Sequence, residues 1–305
     1  WNYDPDTDRS SVSFSIADSG TIVFGIRFTG TSGGIRDVKI MRPLFPGSTE
    51  SYPENSFITN QFKDAVQPFG VIRYMQFTGG MGNPSEYTWA DRVPVSACSF
   101  NRDFPLSSEG YEQGGFSGRG ASWEAVIRIA NELNKDAWIS IPARVDDDYI
   151  RQLARLFLYG SDENGNPYTA VQVNPINPPL NPALNLYVEY GNELWNGFFG
   201  GEYDAEWNWE QANSTEEMAQ YQYDFDGNEN YWYHGFRRTA RRAADASMIF
   251  REVFGDARMH TGSEGRIRPV LAWQFSAGYT GAAGLYYIEN FYNGYLGANY
   301  PLSYY

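Results

Sequence analysis

The sequence predicts an α/β fold, and three observations carry the prediction. Short apolar runs, such as Val71-Ile72-Arg73-Tyr74-Met75-Gln76-Phe77 and Ala137-Trp138-Ile139-Ser140-Ile141-Pro142, alternate with longer segments whose apolar residues recur at helical spacing. Those longer segments open on helix-start signals: Ser122 precedes the helix predicted over 123–133, and Asp146 opens the one predicted to Phe157. At 305 residues the chain is long enough to bury a sizeable core in one domain with decorations.

The elements follow in order. Residues 11 to 30 alternate apolar and polar through Val12, Phe14 and Ile16, then through Ile22, Phe24, Ile26 and Phe28, with Asp18-Ser19-Gly20 between, which predicts a β-hairpin. The hairpin is expected to form a cap or accessory sheet over residues 1–35. The main domain, 36–305, then begins with a strand over Arg36 to Met41, a second over 71–77, and a Gly-rich loop, Gly79-Gly80-Met81-Gly82-Asn83-Pro84, at the second strand's carboxyl end. A helix over 123–133 leads to a third strand over 137–142, and a helix from Asp146 leads to a fourth that ends near Tyr190. Asp146, Asp147 and Asp148 at that helix start, with Arg151 and Arg155 later, complement the helix dipole, so the acidic run reads as structural rather than as a metal site. Gly235 to Phe254 is a long helix, and Pro269 to Gln274 a fifth strand. About thirty residues remain, roughly one strand-helix step, so the domain is expected to be cut short after about five strands, near a sixth.

Composition excludes several partners. A net charge of −14 leaves no basic stripe to displace counterions from phosphates, which argues against nucleic acid and against anionic membrane surfaces. No apolar run reaches the ~20 residues of a membrane helix. Cys98 is alone, so no internal disulfide is expected. His234 and His260 have neither metal spacing nor a neighbouring nucleophile motif, so no zinc site, no cofactor and no catalytic triad are expected. Asp224 to Asn230 sets oxygen ligands at alternate positions, but it lacks the full calcium-loop pattern and reads as a solvated acidic turn. Asn213-Ser214-Thr215 is a glycosylation sequon. The opening Trp1, with no initiator Met, fits a processed mature protein.

The densest chemistry lies in the run from Leu184 to Asn196, where a short apolar strand ends in an amide, a carboxylic acid and an indole. Asn192 can hydrogen-bond a sugar hydroxyl, Glu193 can protonate a glycosidic oxygen, and Tyr190 or Trp195 can offer a flat face to a pyranose, with Asn196 alongside. Glu193 is expected at a strand's carboxyl end, open to a cleft. From Asn196 to Tyr233 the chain is crowded with aromatics, among them Trp207, Trp209 and Trp232, which predicts a sugar-binding wall. Aromatics make up 17% of the chain, with 9 Trp and 23 Tyr; they serve either sugar stacking or an aromatic core.

Asn192-Glu193 at the end of the fourth strand resembles the acid/base signature of the retaining glycoside hydrolases built on an eight-stranded β/α barrel. Trp89-Ala90-Asp91-Arg92, Asp147-Asp148-Tyr149-Ile150-Arg151, Tyr159-Gly160-Ser161-Asp162, Pro178-Pro179-Leu180-Asn181-Pro182 and Tyr187 to Asn196 are similar to stretches of secreted bacterial cellulose-binding or glycosidase-like proteins, from about Arg36 onward. The resemblance implies a (β/α)8 TIM-barrel-like domain of roughly 250 residues, incomplete in this chain. It also implies a secreted, extracellular protein acting on a β-linked polysaccharide or oligosaccharide, with Glu193 as acid/base and Arg73 orienting the nucleophile. An ion pair is the other reading of Arg73, with Glu189, four residues before Glu193 and deeper in the sheet, as its partner.

Retention needs a second carboxyl about 5 Å away, which the resemblance places on a seventh strand, so this chain alone is expected to bind a glycan without hydrolysing it. Glu264, in a turn at the far end, and Glu289, on a helix, are poor substitutes. Two departures remove polar groups near the cleft: Ala143 follows Pro142, and Tyr-Gly-Asn-Glu replaces the commoner Tyr-Ser-Asn-Glu. The alternative is a non-catalytic carbohydrate-binding or structural extracellular protein, a filament or matrix subunit whose open sheet edge favours self-assembly.

Overall fold

Turn chemistry, rather than alternation, decides the amino-terminal hairpin. β1 (Asn2–Asp4) and β2 (Arg9–Ser11) pair antiparallel, and Asp4 closes the turn by accepting from the Asp6 N–H and the Thr7 hydroxyl. The hairpin expected over 11–30 is a separate one, and its turn with Ile16, Ile22 and Phe24 falls outside the described residues. The computed structural model describes residues 2–14, 26–75, 77–78, 87–97, 120–196 and 202–305, so Asp18-Ser19-Gly20, the Gly79 to Pro84 loop and Cys98 lie outside the described residues. The chain divides into two compact units, 1–55 and 56–305. Arg36 to Met41 is not a strand, and Val38 and Ile40 are 53% and 58% exposed, with no sheet among the described residues to bury their alternation.

Residues 56–305 form an α/β unit around a four-stranded parallel sheet. In chain order its main elements are α1 (Asn60–Val66), β3 (Val71–Arg73), α2 (Trp123–Leu133), β4 (Asp136–Ile141), α3 (Asp147–Tyr159), β5 (Leu186–Tyr190), α4 (Glu202–Ala212), α5 (Thr215–Tyr221), α6 (Tyr231–Phe254), β6 (Ile267–Val270) and α7 (Gly278–Tyr287). Ser122 and Asp146 cap α2 and α3 as the sequence predicts, each side chain accepting a backbone N–H three residues on. The aromatic-rich stretch from Asn196 to Tyr233 carries α4 and α5, the second of them opened by Ser214, whose side chain accepts from the Glu217 N–H. Among the described residues no helix is long and apolar enough to cross a membrane.

The strands run in the order β3-β4-β5-β6, so every crossover steps the same way. Right-handed connections that all step one way lay their helices on one face. That face is apolar: Ala137, Ile139 and Ile141 of β4, Leu186, Val188 and Tyr190 of β5, and Ile267 of β6 join one core with Ile127 of α2, Leu153 of α3 and Phe250 of α6. The four strands do not close into a barrel.

The opposite face follows from the period of two. Register sets Arg73 beside Trp138, Trp138 beside Tyr187, and Tyr187 beside Arg268. The Arg73 guanidinium lies 5.1 Å from the Trp138 ring, the two rings are 6.0 Å apart, and Arg268 lies 5.5 Å from Tyr187. A cation–aromatic row thus crosses all four strands, each cationic contact contributing about 0.5–1 kcal/mol.

α6 carries the heaviest buried charge. Arg237, Arg238, Arg241 and Arg242 are all buried along its 24 residues. They meet Asp226 at 2.6 Å, Glu217 at 2.9 Å, Asp245 at 2.8 Å and Asp147 at 2.5 Å respectively. Each of these cations meets a carboxylate, and the pairing fixes α5, α3 and the 224–230 turn onto α6. Asp226 of that turn is gripped by both terminal nitrogens of Arg237, so its oxygens are spent on an ion pair.

Burial pushes the Glu217 carboxyl up, but the charges of Arg238 and Arg241 and their hydrogen bonds outweigh it and hold the group below its ordinary 4.5. The Arg237 hydrogen bonds hold Asp226 low as well. A lowered folded-state value means stability that is present above the unfolded value and lost as pH falls through the folded one. The melting temperature is therefore expected to decline progressively below about pH 4.5. Glu217→Gln should cost about 3 kcal/mol at neutral pH by stranding Arg238, and should flatten part of that acid decline. Urea unfolding at neutral pH and thermal melts across the acid range check both; a melting temperature indifferent to acid would contradict the account.

Candidate functional site

β5 ends at Tyr190 and the chain turns at once. Gly191 has a φ of 66° and Glu193 a φ of 47°, both in the left-handed region. Gly191 is required twice over, because a Cβ there would stand 2.6 Å from Leu194 Cδ1, and Leu194 is buried. The departure from Tyr-Ser-Asn-Glu is thus set by packing beneath the turn. Glu193 pays for its conformation with about 1 kcal/mol or more of backbone strain, of a kind that concentrates at functional sites. Its position, just beyond the carboxyl end of a parallel strand, is where α/β sheets bind ligands. The Asn196 N–H donates to the Glu193 carbonyl at 2.8 Å, and Asn196 Nδ2 donates to Glu193 Oε2 at 3.2 Å, so the turn presents a half-buried carboxyl with one oxygen oriented.

Asn192 points into a network. Arg73 Nη2 donates to Asn192 Oδ1 at 2.8 Å and to Glu189 Oε2 at 2.7 Å. Trp138 Nε1, at 2.8 Å, and Ser140 Oγ, at 3.4 Å, donate to the same Glu189 oxygen. Arg73 thus makes the ion pair with Glu189, and the same nitrogen orients Asn192. Glu189 is 1% exposed, and burial holds its carboxyl above the ordinary value against the lowering effect of Arg73, Trp138 and Ser140. The Asn192 Nδ2 amide is buried without a hydrogen-bond partner, in a class of group whose desolvation costs about 1–3 kcal/mol.

The aromatic residues divide. Tyr190 is 4% exposed on the helix-covered face, its hydroxyl donates to the Ala143 carbonyl and its ring lies beneath Arg242, so it offers no face to a sugar. Trp209 is 5% exposed and meets Trp232 edge-on at 4.3 Å; Gly235 makes room for it, since a Cβ there would stand 2.0 Å from the Trp209 ring. Trp207 is half-buried between the guanidinium groups of Arg144, at 5.4 Å, and Arg238, at 4.7 Å. The expected wall from 197 to 233 is in these positions packing, decided by helices that the sequence reading did not place. Trp195 is different, for it lines a cleft with Leu271 and Trp273 beyond β6 and with Phe236 of α6.

Arg73, Asn192 and Glu189 thus share one network, Glu193 and Asn196 another, and Trp195 a cleft. Trp138 and Ser140 were not singled out from the sequence, although their alternation with Ala137, Ile139 and Ile141 places them on the Glu189 face. Trp273 was missed too, although it follows its strand much as Trp195 follows β5. The other carboxylates lie elsewhere: Glu264 pairs with Arg258 at 3.4 Å and Glu289 is exposed beyond α7. His234 is spent on Asn213 Oδ1 and the Asn228 carbonyl, at 2.7 Å each. Among the described residues no group of three or more His, Cys, Asp or Glu could hold a metal ion.

Comparison with protein-family models, with curated proteins and with solved structures gives no match for this chain, so its chemistry is argued from the site itself.

Gly191→Ser tests the turn. The substitution places a side chain at a left-handed φ and against Leu194, and should cost about 1–3 kcal/mol in urea unfolding. An unchanged unfolding midpoint would contradict the steric account.

Proposed function

We propose that this protein is a secreted, glycoside hydrolase-like protein that acts on a β-linked polysaccharide, with Glu193 as general acid/base. The observation that carries the reading is the pairing of a strained Glu193 at the sheet's carboxyl edge with a buried, partnerless Asn192 amide beside it. Arg73 fixes Asn192 by its oxygen, which leaves the amide nitrogen as a donor set for a sugar hydroxyl. Protonation of a glycosidic oxygen needs a carboxylic acid and no cofactor. The barrel belongs to the proposal: a monotonic strand order with helices on one face is the arrangement a β/α barrel repeats, and the row from Arg73 to Arg268 would face its interior. The net charge of −14 is consistent with a partner other than nucleic acid or an anionic membrane.

A second reading is favoured by Glu189. The double-carboxylate mechanism needs a nucleophile about 5 Å from the acid, and Glu189, 1% exposed and held by three donors, cannot leave its network to attack a sugar. A non-catalytic glycan-binding or matrix protein would keep the aromatic cleft without that second group.

Turnover separates the two. Glu193→Gln removes the acid and preserves its shape, so release of reducing sugar from unactivated β-glycans should fall roughly a hundredfold or more, and hydrolysis of aryl glycosides with good leaving groups much less. Equal turnover by variant and parent on both substrate types rules out the acid role; glycan binding without any turnover by the parent selects the second reading.

A further inference from the structure

We propose that the cleft between Trp195 and Trp273 is a stacking subsite for a neutral, β-linked pyranose whose ring hydroxyls are equatorial, a proposal that rests on the reading of Glu193 as part of a glycan site. Trp195 lies two residues beyond Glu193, and Trp273 three residues beyond the end of β6, so both indoles enter the cleft from the carboxyl edge of the sheet.

Trp273 is built as a platform. A Cβ on Gly281 would stand 2.6, 2.8 and 3.0 Å from three atoms of the indole, so one face of the ring lies flat against the backbone of α7. The side chain is nevertheless 45% exposed. One turn on, Gly284 lets α7 close onto Ala240 of α6, where a Cβ would meet another at 2.7 Å, so a packed helix pair backs the platform. A ring seated this way has little rotamer freedom left to lose when a ligand stacks on it.

The lining chooses the ligand. None of the residues that line the cleft carries a charge, and the hydroxyls of Thr239 and Thr280 already donate to the Gly235 and Ala277 carbonyls. Recognition must therefore come from ring stacking, which suits a pyranose whose equatorial hydroxyls leave apolar C–H faces. Uronates and sulfated sugars find no cation in the cleft and meet a chain of net charge −14.

Titration calorimetry with cellohexaose, xylohexaose and hexagalacturonate tests the subsite, in a Glu193→Gln background so that cleavage does not consume the probe. Trp273→Ala should weaken binding of the neutral probes about tenfold or more. Gly281→Ala keeps the indole but lifts it off the helix, and should weaken binding comparably; because that variant strains α7, the surface change Trp273→Ala keeps the test independent of folding. Trp232→Ala, also exposed but outside the cleft, should bind as the parent does. Unchanged affinity in Trp273→Ala, equal affinity for hexagalacturonate, or no binding of either neutral probe would overturn the subsite. Failure of this proposal is distinguishable from failure of the catalytic one: binding that depends on Trp273 with turnover indifferent to Glu193 keeps the subsite and sinks the acid, and the converse pair of results does the reverse.

Discussion

The buried contact between Arg73 and Glu189 organises the sheet's polar face and the site above it. It joins β3 to β5 across β4, and Trp138 and Ser140 of the intervening strand complete the shell around the carboxylate. A carboxylate 1% exposed survives only with such partners, so strand order and register are tied to its satisfaction. The same guanidinium nitrogen reaches Asn192, one residue before Glu193. Displacement of β3 would therefore release the interior charge and the candidate site together.

A second electrostatic constraint holds the opposite side. Arg237, Arg238, Arg241 and Arg242 of α6 are individually costly to bury, and each is offset by a carboxylate from a different segment, from α3, from α5, from the 224–230 turn or from α6 itself. Helices packed through ion pairs of fixed geometry cannot slide as an apolar interface can. That rigidity extends to the pair of α6 and α7, where Gly284 meets Ala240, and so to the backing of the aromatic cleft.

The stretches that carry the family resemblance have structural work in this fold. Asp91 accepts from the Thr88 N–H and hydroxyl, Trp89 meets Tyr149 edge-on at 5.1 Å, and Arg92 holds the carbonyl oxygens of Asn164 and Gly165 in the loop after α3. Gly160 turns with a φ of 78° where a Cβ would stand 2.2 Å from the Asn177 carbonyl oxygen. The proposed activity rests instead on the few groups from Asn192 to Asn196, where Glu193 holds a left-handed φ of 47°.

By itself the sequence determined the local elements whose cause is local. Ser122 and Asp146 can cap helices without knowing the fold, the apolar runs near residues 72, 139, 188 and 269 can only be strands once their flanks are helical, and the end of β5 placed Glu193 at the sheet's edge. The Arg73 and Glu189 pairing was legible too, since both side chains alternate onto one face. What the sequence could not decide was which apolar faces find a partner. Arg36 to Met41 has the pattern of a strand but, among the described residues, no strand beside it to supply its hydrogen bonds. Tyr190 and Trp209 have the chemistry of sugar platforms but are covered, the one by α6 and its Arg242, the other by a helix that Gly235 allows to approach. Trp273 can lie against α7 only because Gly281 leaves room there. Periodicity states that a face is apolar; only tertiary packing states what lies against it.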